Sequence, residues 1–202
     1  MKLYYSPGAC SLSPHIVLRE AGMTFDLEQV DLKTRRTKGG ADFTAVNAKG
    51  YVPALQLDDG QVLTEGPAIV QYVADQRPDS RLAPPAGTLE RSRLQEWLNF
   101  ITSELHKSFS PLFNPAAVAE WKQAAADNLA RRCEYVAGRL AGRNYLLGDT
   151  FSVADAYLFT VLGWSKFVKF DLARWPVLEA YLARVGARPK VQEALRAEGL
   201  IK

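Results

Sequence analysis

Cysteine, histidine and methionine each occur only twice among the 202 residues, and this scarcity excludes several chemistries at once. Cys10 and Cys133 are too far apart in the chain to suggest a disulfide scaffold, and their use points to a reducing compartment. His15 and His106 do not cluster with the cysteines and form no His-x-x-x-His pair, so no metal site is expected. Gly8 alone does not make a phosphate-binding loop, and no Gly-rich nucleotide motif occurs elsewhere. No Ser/His/acid triad has local support. No apolar run is long enough to span a bilayer. Met1 leads directly into a strand pattern with no signal-peptide core, so a cytoplasmic protein without a membrane partner is expected. The net charge of +3 is scattered, apart from the loop Lys33-Thr-Arg35-Arg36-Thr-Lys38, which is too little for a nucleic-acid stripe. Internal repeats and low-complexity tracts are also lacking.

What is present is an ordinary globular composition, 48% hydrophobic and 23% charged, arranged in two differently patterned parts. Lys2 to Tyr5 is short, apolar and aromatic, as a buried strand is; Pro7-Gly8 breaks it, and Ser13-Pro14 opens a helix that Gly22 ends. Phe25 to Leu32 alternates as a strand, and a short helix is expected around Asp42 to Val46. Two short strands flank the hairpin signal Asp58-Asp59-Gly60, and Glu65-Gly66-Pro67 opens a helix with Ile69, Val70, Tyr72 and Val73 on its apolar side. The order β-α-β-α-β-β-α is similar to that of thioredoxin-like domains. Beyond a proline-rich stretch, strand signals vanish and helical patterns run to the end of the chain. The expected organisation is an α/β domain over 1–77, a linker over 78–88 and an all-α domain over 89–202.

Cys10 stands between the first strand and the first helix, in Ser6-Pro-Gly-Ala-Cys10-Ser-Leu-Ser13. Unpaired backbone N–H groups and the helix dipole favour a thiolate there. The Cys-x-x-Ser spacing keeps the nucleophile of a redox motif but lacks a resolving cysteine. The other reading is a small buried hydrophobe, which describes many free cysteines, Cys133 among them. Val52-Pro53 heads a strand; with a cis bond, the Val52 backbone would be free to pair with an extended ligand, and with a trans bond it is a plain strand start. At Glu65-Gly66 a helix N-terminus suits a carboxylate and Glu65 an amino group, which together fit an α-amino acid; a helix cap with acidic bias fits equally. On the helix from Leu89, the residues Asn99, Ser103 and His106 are spaced four and three apart, a neutral polar stripe or simply solvated surface. His15 is read as a structural packing or hydrogen-bonding residue. Ser152 and Asp155 form a capping box, a folding element without chemistry.

These strings carry a resemblance over the whole chain. Tyr4-Tyr-Ser-Pro-Gly-Ala-Cys10-Ser-Leu-Ser-Pro-His15, Gly50-Tyr-Val-Pro-Ala-Leu, Leu63-Thr-Glu-Gly-Pro, Ser103-Glu-Leu-His-Lys107 and Phe151-Ser-Val-Ala-Asp155 together resemble a bacterial beta-class glutathione S-transferase. The resemblance implies a homodimer, a thioredoxin-like N-terminal domain with an all-α C-terminal domain, and glutathione as co-substrate with no metal. It implies that Cys10 lies at the glutathione sulfur and can hold it as a mixed disulfide. Val52 would pair with the cysteinyl backbone, with Pro53 cis, and Glu65 and Gly66 would hold the γ-glutamyl end. Arg35 stands where the class has lysine for the glycyl carboxylate; it keeps the charge with a different reach. From the helical domain, Asn99, Ser103, Glu104, Leu105, His106 and Lys107 are implied to line the site, with Asn99 reaching from a partner subunit. Cys10 and His106 would be catalytic, and Trp164 would line an acceptor pocket in a cleft between the domains. Tyr5 and Ser11 occupy the positions of sulfur-activating residues in other classes. The implied activity is conjugation of glutathione to small apolar electrophiles, with thiol–disulfide exchange or reductive dehalogenation through Cys10. The alternative is a non-catalytic carrier of apolar ligands.

Overall fold

The computed structural model describes all residues, Met1–Lys202, and divides into two compact units, 1–83 with 187–202, and 84–186. In the first unit, β1 (Lys2–Tyr5) is followed by α1 (Leu12–Glu20), β2 (Asp26–Asp31) and a two-residue β3 (Arg36–Thr37). A single 3-10 turn, Phe43–Ala45, stands where a short helix was expected, with Asp42 accepting from the Thr44 N–H at 2.9 Å. Then come β4 (Ala54–Gln56), β5 (Val62–Thr64) and α2 (Gly66–Gln76). The sheet order is β3-β2-β1-β4-β5. β1 pairs parallel to β2, as a strand returning through a crossover helix does, and antiparallel to β4, which forms a hairpin with β5. The thioredoxin-like order expected from the sequence is present, with β3 added at one edge.

The register of this sheet gathers the chemistry at one end. Tyr4 lies opposite Ala54, and Ala54 opposite Thr64. The loop leaving β1 toward Cys10, the Val52-Pro53 entry into β4 and the exit of β5 at Glu65 therefore share an end of the sheet. β2 runs parallel to β1, so its exit toward Arg35 lies at that end too. Tyr4, Val30, Phe43, Val52 and Ala54 form a buried cluster beneath it.

The second unit holds α3 (Leu89–Phe100), a π-helical stretch over Ile101–His106, α4 (Lys107–Phe113), α5 (Ala119–Leu140), α6 (Val153–Gly163), α7 (Ser165–Val168) and α8 (Pro176–Gly186). Leu94, Leu98, Leu129, Cys133, Val136, Leu158, Val161 and Leu178 are buried in it, which bears out the core reading of Cys133. No helix in the chain is long and apolar enough to cross a membrane. The capping box at Ser152 is also present and does more than cap. Asp155 accepts from Ser152 N–H and Oγ–H at 2.9 and 2.8 Å, from Leu146 N–H at 2.9 Å and from Tyr181 Oη at 3.0 Å. It is fully buried; burial raises its pKa while these donors oppose the rise.

The last helix, α9 (Pro189–Ala197), lies in residues 187–202, which group with the first unit. The reason is polar as well as apolar. Arg188 grips Glu20 through Nε and Nη2 at 2.7 and 2.9 Å, and Arg19 reaches Glu193 at 3.4 Å. In the interior, His15 and Glu198 meet at 2.8 Å with neither side chain exposed. Arg19 Nε donates to His15 Nε2 at 2.9 Å, so that nitrogen carries no proton and Nδ1–H donates to Glu198. The other Glu198 oxygen accepts from Gly8 N–H at 2.8 Å. His15 is thus the structural hydrogen-bonding residue that the sequence suggested.

Two stability outcomes follow. Glu198→Ala leaves the buried His15 ring N–H without its acceptor and removes the bond to Gly8 N–H, and should cost about 3 kcal/mol in urea unfolding. A loss below about 1 kcal/mol would mean that water replaces the carboxylate. Asp155→Ala strips the acceptor from four donors and should cost about 3 kcal/mol or more, with Asp155→Asn recovering part of it in the same measurement.

Candidate active site

The turn that carries Cys10 is tied down on both sides. Ala9 N–H donates to Ser6 O at 3.0 Å, and Ser11 Oγ both accepts from Ser6 N–H at 3.1 Å and lies 3.3 Å from Ser6 O. Gly8 has a positive φ of 71°, which glycine adopts without the cost that a side chain would add, and it lies against the Leu200 side chain. Ser11 is fully buried by these contacts, and Tyr5 is buried with its ring near His15. Both positions therefore do structural work here, and burial raises the Tyr5 pKa first, with Glu198 and Glu28 adding to it.

Cys10 precedes the N-cap Ser11 of α1, and its S–H donates to Val52 O at 3.4 Å. The helix start favours a thiolate, as its position in the sequence suggests, and burial opposes it. The backbone N–H groups of Cys10 and Ser11 do favour the anion, but burial outweighs them and the Glu65 charge opposes it further. The thiol is pushed up to about 11. At neutral pH this balance favours the protonated thiol.

The Val52–Pro53 bond is cis, and Gly66 faces Pro53, with a Cβ position 3.9 Å from its ring. Glu65 caps α2 at φ 69° and ψ 114°, a conformation rare for a residue with a side chain. Its Oε1 is engaged by Lys49 Nζ and by Tyr51 Oη, the latter at 3.2 Å. Arg35 also has a positive φ, 56°, and its guanidinium lies over Gly50, where a Cβ would come within 3.1 Å. Cys10, Arg35, Val52, Glu65 and Gly66 thus share the sheet end set by the register. Lys49 and Tyr51 were not singled out from the sequence; only their closeness to Val52-Pro53 could have suggested them.

The helical unit places its expected residues differently. Asn99 and Ser103 are exposed, and Ser103 Oγ donates to Asn99 O at 3.1 Å. From Ile101 the helix widens to π geometry, whose bonds run i to i+5, so His106 leaves strict α register with that pair. His106 Nδ1 lies 2.7 Å from Tyr157 Oη, and its ring meets Trp164 edge-on at 4.7 Å. Phe109 and Phe113 pack on Trp164 as well, at 5.7 and 5.9 Å. Glu104 pairs with Arg132 at 2.7 Å, Lys107 is exposed, and Leu105 is fully buried, backbone and side chain alike. Tyr157 and the π stretch were missed from the sequence; Ile101-Thr102 inside a helix gives only a weak hint of either.

Residues 8–76 match the family model for the N-terminal domain of glutathione S-transferase, and residues 100–189 match that for its C-terminal domain. Glutathione S-transferase GstA of Escherichia coli O157:H7 is 50% identical over 99% of this chain and the whole of that relative. The structure of a sphingomonad glutathione S-transferase complexed with glutathione superposes with a TM-score of 0.96 at 52% identity, over all of both chains. The bacterial beta-class enzyme of Sphingomonas chungbukensis gives a TM-score of 0.96 at 51% identity, again over all of both chains.

The raised Cys10 thiol has a direct test. Alkylation of Cys10 by iodoacetamide in the ligand-free protein, followed by peptide mass, should rise about tenfold per pH unit from pH 7 to 10. Its midpoint should lie near 11. A rate that levels off below pH 8 would contradict this electrostatic picture.

Proposed function

Because the chain belongs to the glutathione S-transferase family, in its bacterial beta class, we propose that it conjugates glutathione to small apolar electrophiles. The observation that carries this reading is the Cys10 thiol on the Val52 carbonyl, at the cis Val52–Pro53 bond. A tripeptide whose cysteinyl backbone pairs with Val52 brings its own sulfur to Cys10. The γ-glutamyl ammonium then goes to Glu65, its carboxylate to the N-terminus of α2 at Gly66, and the glycyl carboxylate to Arg35.

In this mechanism Cys10 stays protonated and donates its S–H toward the glutathione sulfur, which favours the glutathione thiolate. That thiolate attacks the electrophilic carbon. A carbon–sulfur bond forms, a halide leaves with the bonding pair, and the thiol proton goes to solvent. Asn99, Ser103, Glu104, Leu105, His106 and Lys107 are the helical unit's contribution, in a homodimer whose partner supplies Asn99. The half-buried His106 is held by Tyr157, and the exposed Phe113, packed on the buried Trp164, offers apolar surface for the electrophile. The hydrogen bond of the Cys10 thiol to Val52 O, together with the burial that raises its pKa, supports conjugation as the main reaction. Thiol exchange is the slower one: Cys10 thiolate attacks a glutathione-linked disulfide, releases one thiolate, and a second glutathione resolves the mixed disulfide.

Two assays separate the possibilities. Wild type should conjugate a chlorinated nitroaromatic with glutathione, and Cys10→Ala should keep conjugation within about tenfold while losing reduction of a glutathione-linked disulfide. No turnover by wild type in either assay would leave the carrier reading. Loss of conjugation by a thousandfold or more in Cys10→Ala would make Cys10 essential to the chemical step.

A further inference from the structure

Lys49 lies outside every residue assigned so far, yet its ammonium sits on the carboxylate that the proposed reading gives to the ligand. Lys49 Nζ pairs with Glu65 Oε1 and also donates to Thr64 Oγ1 at 2.8 Å, bridging the last residue of β5 and the cap of α2. It lies 5.5 Å from the Tyr51 ring centroid, and the Tyr51 hydroxyl donates to the same Oε1. The Asn47–Tyr51 loop that carries Lys49 is itself fixed, because Asn47 Nδ2 donates to Tyr51 O at 2.7 Å and Gly50 N–H to Asn47 O at 2.8 Å. The hydrogen bond to Glu65 raises the Lys49 pKa, so the group is a cation across the neutral range.

We propose that Lys49 is a specificity-determining residue that stands in for the ligand's ammonium and competes with it for Glu65 Oε1 when a γ-glutamyl group binds. The inference rests on Glu65 receiving that ammonium. A carboxylate oxygen has two lone pairs, and both on Oε1 are engaged, by Lys49 and by Tyr51. An ammonium aimed at Oε1 therefore replaces one donor with another rather than gaining a new pair. A ligand with no amino group at that position leaves Lys49 where it is. Lys49 thereby narrows the advantage of ligands that carry the ammonium over those that lack it. Lys49 and Glu65 side chains are 41% and 57% exposed, so the exchange is between solvated ion pairs and its effect is small but measurable.

The test is calorimetric titration of glutathione, and of its analogue lacking the α-amino group, into wild type, Lys49→Met and Glu65→Gln. Lys49→Met should bind glutathione roughly two- to fivefold more tightly and the desamino analogue with unchanged affinity. Glu65→Gln should weaken glutathione about tenfold or more and narrow the difference between the two ligands. Glutathione bound equally or more weakly by Lys49→Met, while Glu65→Gln still weakens it, would overturn the inference alone and make Lys49 a support for Glu65. Glutathione affinity unchanged in Glu65→Gln would overturn the assignment of Glu65 and this inference with it.

Discussion

The first unit depends on a buried carboxylate that comes from the far end of the chain. Glu198 accepts from Gly8 N–H with one oxygen and from the His15 ring with the other, and neither the His15 nor the Glu198 side chain reaches solvent. Such a charge is tolerated indoors only when its lone pairs are met. Its two partners lie on either side of Cys10, Gly8 in the turn before it and His15 in the helix after it. The carboxylate therefore fixes both ends of the segment that positions the thiol. Arg19 closes the chain of bonds by donating to the other His15 nitrogen, which fixes the tautomer that faces Glu198. The C-terminal residues are thus part of the cradle of Cys10, although the sequence separation is 190 residues.

The same cradle decides the state of the sulfur. A helix start with free N–H groups stabilises a thiolate, but only when it is strong enough to offset the loss of water. Here α1 is buried from Leu12 to Leu18, and Cys10 just before it is partly buried. Glu65 adds a negative charge to the surroundings. A protonated Cys10 is a hydrogen-bond donor, and its present acceptor, Val52 O, shows where such a donor is spent in the absence of ligand. That suits the donor role proposed for Cys10.

Most of the first unit was legible because its signals are local. Pro7-Gly8, the Asp58-Asp59-Gly60 hairpin and Glu65-Gly66-Pro67 each set a boundary through turn or cap chemistry that the neighbours do not override. The capping box at Ser152 and Asp155 was legible for the same reason. What was not legible depends on partners distant in sequence. The grouping of 187–202 with the first unit rests on Arg188 with Glu20 and Glu198 with His15, pairs that no periodicity reports. The π stretch at Ile101–His106 escaped because its residues suit an α-helix equally well, so its wider turn is not written in composition. The Cys10 charge state is legible in part: the dipole is local and visible in sequence, whereas burial belongs to the finished fold.

Backbone strain points to the same residues independently. Only four residues other than glycine have positive φ, namely Arg35, Glu65, Arg81 and Lys169. Two of these, Arg35 and Glu65, are the charged residues assigned to the two ends of the tripeptide. Glycine would adopt either conformation at less cost, so the side chains justify the strain. At Glu65 the ψ of 114° lies outside even the left-handed helical region, and no ordinary cap requires it. It turns the carboxylate toward the loop of Lys49 and Tyr51 while leaving its backbone carbonyl to accept from Ala68 and Ile69 N–H, both at 3.0 Å. Arg35 is braced in a similar way, with its backbone bonded to Asp31 O and Phe43 N–H at 2.7 and 2.9 Å and its guanidinium over Gly50. Arg35 and Glu65 are thus each held in a positive-φ conformation by backbone bonds that fix where the charged group starts from.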